Sequence, residues 1–161
     1  MNARAQTLPK IGAPLEGGKY AGLLTDKEGQ PYMLALLPDQ ASDLNWNAAK
    51  AWADGLKATL PNRIEAAMLF QHLRAELRKD WHWTSEEHEA DASYAWVCHF
   101  GDGSQGNYRK GGSCSAVAVR RLPLGSFDPL NSAQQRAAED VAKLLESAKA
   151  LVLACESAVL A

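Results

Sequence analysis

The sequence predicts an α+β fold: short antiparallel strands, two helices and then a long C-terminal helix. Three observations predict it. Between Trp81 and Leu122, aromatic and β-branched runs are broken by Gly, Asp and Ser clusters, the pattern of short antiparallel strands joined by tight loops. Two helical periodicities precede that stretch and a longer one follows it. The five tryptophans all lie between Trp46 and Trp96, which places the expected core there. At 161 residues the chain is long enough for one domain with a true core plus an appendage.

Residues 1–18 carry Pro9, Pro14 and the Gly17-Gly18 pair without periodicity and read as an extended arm. Tyr20 to Leu24 and Pro31 to Leu37 read as two strands around an Asp26-Lys27-Glu28-Gly29 turn, where Gly29 can take positive φ at little cost. A helix opens at Asp43 to Asn45, with Asp or Asn as cap, and runs to about Thr59. Its stripe is Leu44, Ala48, Trp52 and Leu56, widened by Trp46, Ala49 and Ala53. A second helix follows Leu60-Pro61-Asn62. Asn62 caps it, Glu65 completes a capping-box pattern, and Ala66, Leu69, Leu73 and Leu77 face inward with Phe70 alongside.

From Trp81 the period becomes alternating. Tyr94, Trp96, Cys98 and Phe100 share one strand face; Ala95, Val97 and His99 share the other. Trp46, Trp52, Trp83, Trp96 and Phe100 are the expected aromatic core, with Trp83, Trp96 and Phe100 in a common interior. Asp102-Gly103 and Gly111-Gly112 mark turns about a polar strand, Gln105 to Lys110. Ala116 to Leu122 is apolar on both faces until Arg120 and should be central in the sheet. Pro123, Gly125 and Pro129 mark a linker, after which Ser132 and Gln135 form a capping-box pattern. The stripe Ala138, Val141, Leu145, Ala148, Val152, Cys155 and Val159 follows. It suits either a helix packed on its own domain or one that pairs with copies of itself. The expected organisation is an arm over 1–18, a domain over 19–122, a linker over 123–130 and a helix over 131–161.

The formal charge of −2 gives no reason to expect nucleic acid or an anionic membrane surface as partner. No apolar run reaches the roughly 20 residues of a membrane span. The opening residues also lack a signal-type apolar stretch. The expectation is a chain kept in the cytoplasm, or carried in a virion or other assembly. Cys98, Cys114 and Cys155 have neither zinc-type spacing nor the density of a disulfide framework and are expected to be reduced.

The order of motifs over about 20–122 resembles the domain family found at the C-terminus of a collagen-like bacterial adhesin, common in phage and bacterial proteins. Members read a Trp-containing helix, Leu-Pro-Thr, Tyr-Trp-Ser-Ser, Ala-Trp, Phe-x-Asp-Gly and Val-Arg-x-Val-Arg. Here these are Trp46 with Ala49, Leu60-Pro61-Asn62, His82-Trp83-Thr84-Ser85, Ala95-Trp96, Phe100-Gly101-Asp102-Gly103 and Val117-Ala118-Val119-Arg120. Two departures stand out. Lys57-Ala58-Thr59 replaces the usual Trp-Arg before Leu60, and Ala116-Val117 stands where Val-Arg is usual. The resemblance implies a C-type-lectin-like fold, with two helices flanking a small twisted antiparallel sheet and the termini close together.

No catalytic centre assembles in the sequence, and no cofactor or metal is expected. Gly111-Gly112-Ser113-Cys114 after Arg109 resembles the Arg-Gly-Gly-Ser motif of formylglycine-generating and sulfatase-modifying enzymes of this fold, which use a metal-binding cysteine pair. Cys98 is a candidate cross-strand neighbour for Cys114, although its setting is that of a small buried hydrophobe. His82 and His88 with Glu86, Glu87, Glu89 and Asp91 are metal-type donors without helical ligand spacing; such a charge run is ordinarily a solvated loop. What remains is a recognition surface. The 82–91 loop (His82, Glu86, His88) and the 102–113 hairpin (Gln105, Asn107, Tyr108, Arg109) combine amides, an aromatic and a guanidinium, residue types enriched in binding sites. The resulting expectation is a non-enzymatic module of phage or prophage type that binds a protein or glycan, with the last helix mediating assembly. The alternative is an intracellular phage-encoded regulator that docks on a host protein through the acidic 86–91 loop and the helix.

Overall fold

The computed structural model describes residues 7–126 and 129–159. Its strands are β1 (Pro14–Leu15), β2 (Gly18–Thr25), β3 (Pro31–Leu44), β4 (Trp81–Glu87), β5 (Tyr94–His99), β6 (Gln105–Arg109) and β7 (Cys114–Pro123); its helices are α1 (Trp46–Gly55), α2 (Arg63–Leu73) and α3 (Pro129–Val159). The strands lie in the order β1-β2-β3-β7-β4-β5-β6. This is an α+β body over Pro9–Ser126, with α3 in a separate unit.

Local chemistry accounts for most element ends. Asp26 Oδ1 accepts the Glu28 and Gln30 amides and shapes the β2–β3 turn, with Gly29 at φ 82°. Asn45 Oδ1 accepts the Ala48 amide to cap α1, and Asn62 and Glu65 form a complete capping box on α2. Both helices therefore begin where their caps predict.

Four boundaries differ from the sequence reading. Part of the expected arm is a hairpin: β1 pairs with β2 around Glu16 and Gly17, both at positive φ, as tight hairpin turns demand. Residues 1–6 lie outside the described residues. β3 does not stop at Leu37, because two register shifts absorb Pro38 and Asp43 and let pairing with β7 continue to Leu44. α1 ends at Gly55, not Thr59. There Lys57 adopts φ 54°, Ala58 N–H donates to Ala53 O at 3.0 Å and Lys57 N–H to Asp54 O at 2.9 Å, a Schellman stop built on lysine where glycine is usual. α3 likewise opens at Pro129, so Ser132 lies inside the helix; the linker residues 127–128 are outside the described residues.

β7 is central as expected, antiparallel to β3 and joined to β4 by a parallel bridge at His82 and Ser115, with Cys114 to Val119 all buried. It separates two interiors. One holds Trp46, Ala49, Ala53, Trp83, Ala95, Val97 and Cys114; the other holds Leu34, Leu69, Cys98, Phe100, Val117 and Val119. The aromatic core expectation is thus corrected. Trp83 and Phe100 are fully buried but in different interiors, Trp52 is only partly buried, and Trp96 belongs to neither. Within α1 the buried residues are Trp46, Ala49 and Ala53, so the deep side lies one residue round from the Leu44-Ala48-Trp52-Leu56 stripe. The core also extends well beyond the tryptophan-rich stretch, into Met33 to Leu37 and Ala116 to Val119.

Candidate binding cleft

Most polar side chains singled out in the sequence hold the body together. His82 is buried: its Nδ1–H donates to Asp80 O at 2.8 Å, its ring packs on Phe100, and burial pushes its pKa down. No ligand can reach it. The 82–91 stretch is no loop either, because β4 occupies it to Glu87. Glu86 accepts the Arg63 amide at 2.6 Å, and Gln105 both donates to Arg63 O and accepts from Arg63 Nε. The acidic run is engaged internally as well: Glu87 pairs with Lys110, Glu89 accepts from the Trp96 indole, and Asp91 caps Ser93. His88 and the Arg63 guanidinium both lie against the Trp96 ring, the latter at 3.5 Å, which explains why Trp96 is not core. Among the described residues no three His, Cys, Asp or Glu side chains gather as metal ligands.

Asn107, Tyr108 and Arg109 are exposed, but strand alternation divides them. Arg109 pairs across β5 with Tyr94, and its Nε–H donates to the Tyr94 hydroxyl at 3.1 Å. Tyr108 pairs with Ala95 and looks to the opposite face, beside Trp83. The expected single surface is therefore two surfaces.

On the Tyr108 side, β4 to β7 and the end of β3 enclose a cavity of about 460 Å³. Trp81 and Tyr108 are its walls, 39% and 47% exposed. Gly106 is its floor, where an added Cβ would lie 3.9 Å from the Trp81 ring. Each wall is held in place. Trp81 meets the His99 ring edge-on at 5.1 Å, and its amide donates to Asp80 Oδ1 at 2.8 Å. Tyr108 lies over Gly112, where a Cβ would be 2.1 Å from the ring. Asp43 and Asp80 stand at the rim. Asp80 Oδ2 accepts the Ser115 hydroxyl at 2.9 Å, and that hydrogen bond holds its carboxyl below the usual range.

Cys114 also borders the cleft, and burial pushes its thiol up to about 11. It is protonated at neutral pH and a poor nucleophile. Cys98 is not its cross-strand neighbour, since β4 lies between β5 and β7. A larger groove of about 980 Å³ borders Tyr32, Arg63 and Arg121, where Arg63 is held by Gln105 and Arg121 by Glu65.

Trp81, Gly106, Asp43 and Asp80 were absent from the sequence-derived site. The one local signal for them was Gly106, an isolated glycine inside a strand, which marks a close approach of another group. No family model and no curated protein matches this sequence. No helix among the described residues is long and apolar enough to cross a membrane.

Proposed function

We propose that the chain is a non-enzymatic binding module of phage or prophage type, built on a C-type-lectin-like body that recognises its partner through the Trp81–Tyr108 cleft. One observation carries this reading: two large, exposed aromatic rings stand on either side of a glycine floor. Exposed rings give contact area at small entropic cost because they are already positioned. The lectin-like reading, and with it the resemblance to the adhesin C-terminal domain family, is supported by the topology. The long strands β3 and β7, neighbours at the centre of the sheet, pair antiparallel. β4, β5 and β6 form the second ribbon alongside β7.

α3 serves assembly in this reading, with a second copy of the chain as its partner. Ala138, Val141, Leu145, Ala148, Val152, Cys155 and Val159 recur at alternating three and four, the 3.5-residue period that a supercoiled partner helix follows. Val141, Leu145 and Val152 are each more than half exposed.

The test of the cleft is to screen the full chain on a glycan array and a peptide array beside the Trp81→Ala/Tyr108→Ala double variant. A signal on either array that the double variant loses supports the module. An identical profile for the two proteins, or no signal from either, overturns it.

A further inference from the structure

We propose that the cleft takes a lysine side chain from a protein partner, its ammonium held between Trp81 and Tyr108 beside Asp43 and Asp80. This rests on the cleft being the binding site and names what enters it.

The argument starts from how this body treats its other aromatic rings. Trp96 carries the Arg63 guanidinium at 3.5 Å, and Trp46 carries the Lys50 and Lys110 ammonium groups at 3.6 and 4.4 Å. Phe70 has Arg74 at 5.3 Å, and Tyr94 has Arg109 at 5.7 Å. Cations settle on these faces because the ring quadrupole is negative there. Among the described residues, no Lys or Arg of the chain covers Trp81 or Tyr108. These two rings line a shared cavity, and neither carries a cation of the chain.

The charges agree. Asp43 and Asp80 line the cleft, and none of its lining residues is Lys, Arg or His. Three carboxylates elsewhere have their own cations: Glu65 has Arg121, Glu87 has Lys110, and Glu76 has Lys19. Asp80 is held instead by neutral donors, the Trp81 amide and the Ser115 hydroxyl, so its negative charge remains available. Two open aromatic faces with two carboxylates and no internal cation form a receptor for a positive group on an apolar stem. Lysine has that shape: four methylenes to lie along the rings and a compact charge at the end.

The experiment titrates the full chain with Nα-acetyl-lysine methylamide and with its neutral isostere, Nα-acetyl-norleucine methylamide, following the amide and indole N–H resonances of Trp81 and Gly106. Saturable shifts are expected with the lysine compound, with affinity about tenfold weaker or worse for norleucine. Asp43→Asn should weaken lysine binding about fivefold, a step below that needed for a full decade. Asn tolerates the positive φ of 56° at this position, so the variant keeps its backbone. Equal binding of the two compounds, or an unchanged response in Asp43→Asn, overturns the assignment. An array signal that depends on Trp81 and Tyr108, with no lysine binding, overturns the cation alone and leaves the cleft standing. Failure of both overturns both.

Discussion

The carboxylate of Glu65 accepts from both Nε and Nη2 of Arg121 while remaining wholly buried. The same carboxylate accepts the Tyr32 hydroxyl and the Asn62 amide, each at 2.8 Å, so one side chain joins β3, β7 and the start of α2. Burial first, and then Glu65, pushes the Tyr32 phenol up to about 12. Arg121→Ala removes the cation from a carboxylate that has no access to water. It should cost about 2–3 kcal/mol, less than a fully buried pair because Arg121 is partly exposed. Urea unfolding measures this, and a loss below about 0.5 kcal/mol, the size of an ordinary surface change, would contradict the assigned role.

Lys57 pays for its left-handed conformation at the end of α1. Lys57→Gly should stabilise the body by about 1 kcal/mol, because glycine adopts positive φ without the Cβ clash. An unchanged or lower urea midpoint would show that the lysine side chain offsets that strain. Arg120 reinforces the same point, its guanidinium donating to the carbonyls of Leu56 at 2.8 Å and Glu16 at 2.6 Å.

Gly112→Ala places a methyl group where the Tyr108 ring now lies. The ring is exposed and can swing away, so the stability change should stay within about 1 kcal/mol. The expected readout is loss of the Tyr108–Trp83 ring contact, whose centroids are 6.1 Å apart, in the nuclear Overhauser spectrum. Retention of that contact would disprove the positioning role of Gly112.

His82 is held neutral by burial, its pKa below the ordinary 6.5. The unfolded chain therefore takes up the proton first as pH falls, and the folded state loses stability from about 6.5 downward until the native pKa is reached. Above that window the contribution is fully present. The His82 ring signals should titrate below 6.5, with the melting temperature falling as the pH drops through 6.5. Titration of His82 at or above 6.5 would refute this.

Leu145→Glu/Val152→Glu in the full chain should convert an assembled species to a monomer in light scattering without shifting the melting of the body. The same mass for wild type and variant would rule out a role for this seam in assembly.

The β2–β3 turn, the starts of α1 and α2, and β5 were legible in the sequence because their causes lie within a few residues: the Asp26 turn, the Asn45 and Asn62 caps, and the alternation through β5. Stops were legible only where glycine or proline made them. Lys57 hid the end of α1, and the paired bulges in β3 hid seven further residues of strand. The candidate site was half legible. Tyr108 and Asn107 border the cleft, whereas His82, Glu86 and Gln105 carry packing and hydrogen bonds that no local pattern distinguishes from ligand contacts.

By itself the sequence determined the α+β composition, the capped helices and the central place of β7, all products of short-range chemistry and burial on two faces. Only the tertiary structure decided which face each ribbon turns inward. β7 inserts between β3 and β4, splitting the aromatics between two interiors, leaving Trp96 to Arg63 and bringing Trp81 over Gly106 beside Tyr108. A period of two separates the faces of a strand, but strand order, set by contacts distant in sequence, chooses which one is covered.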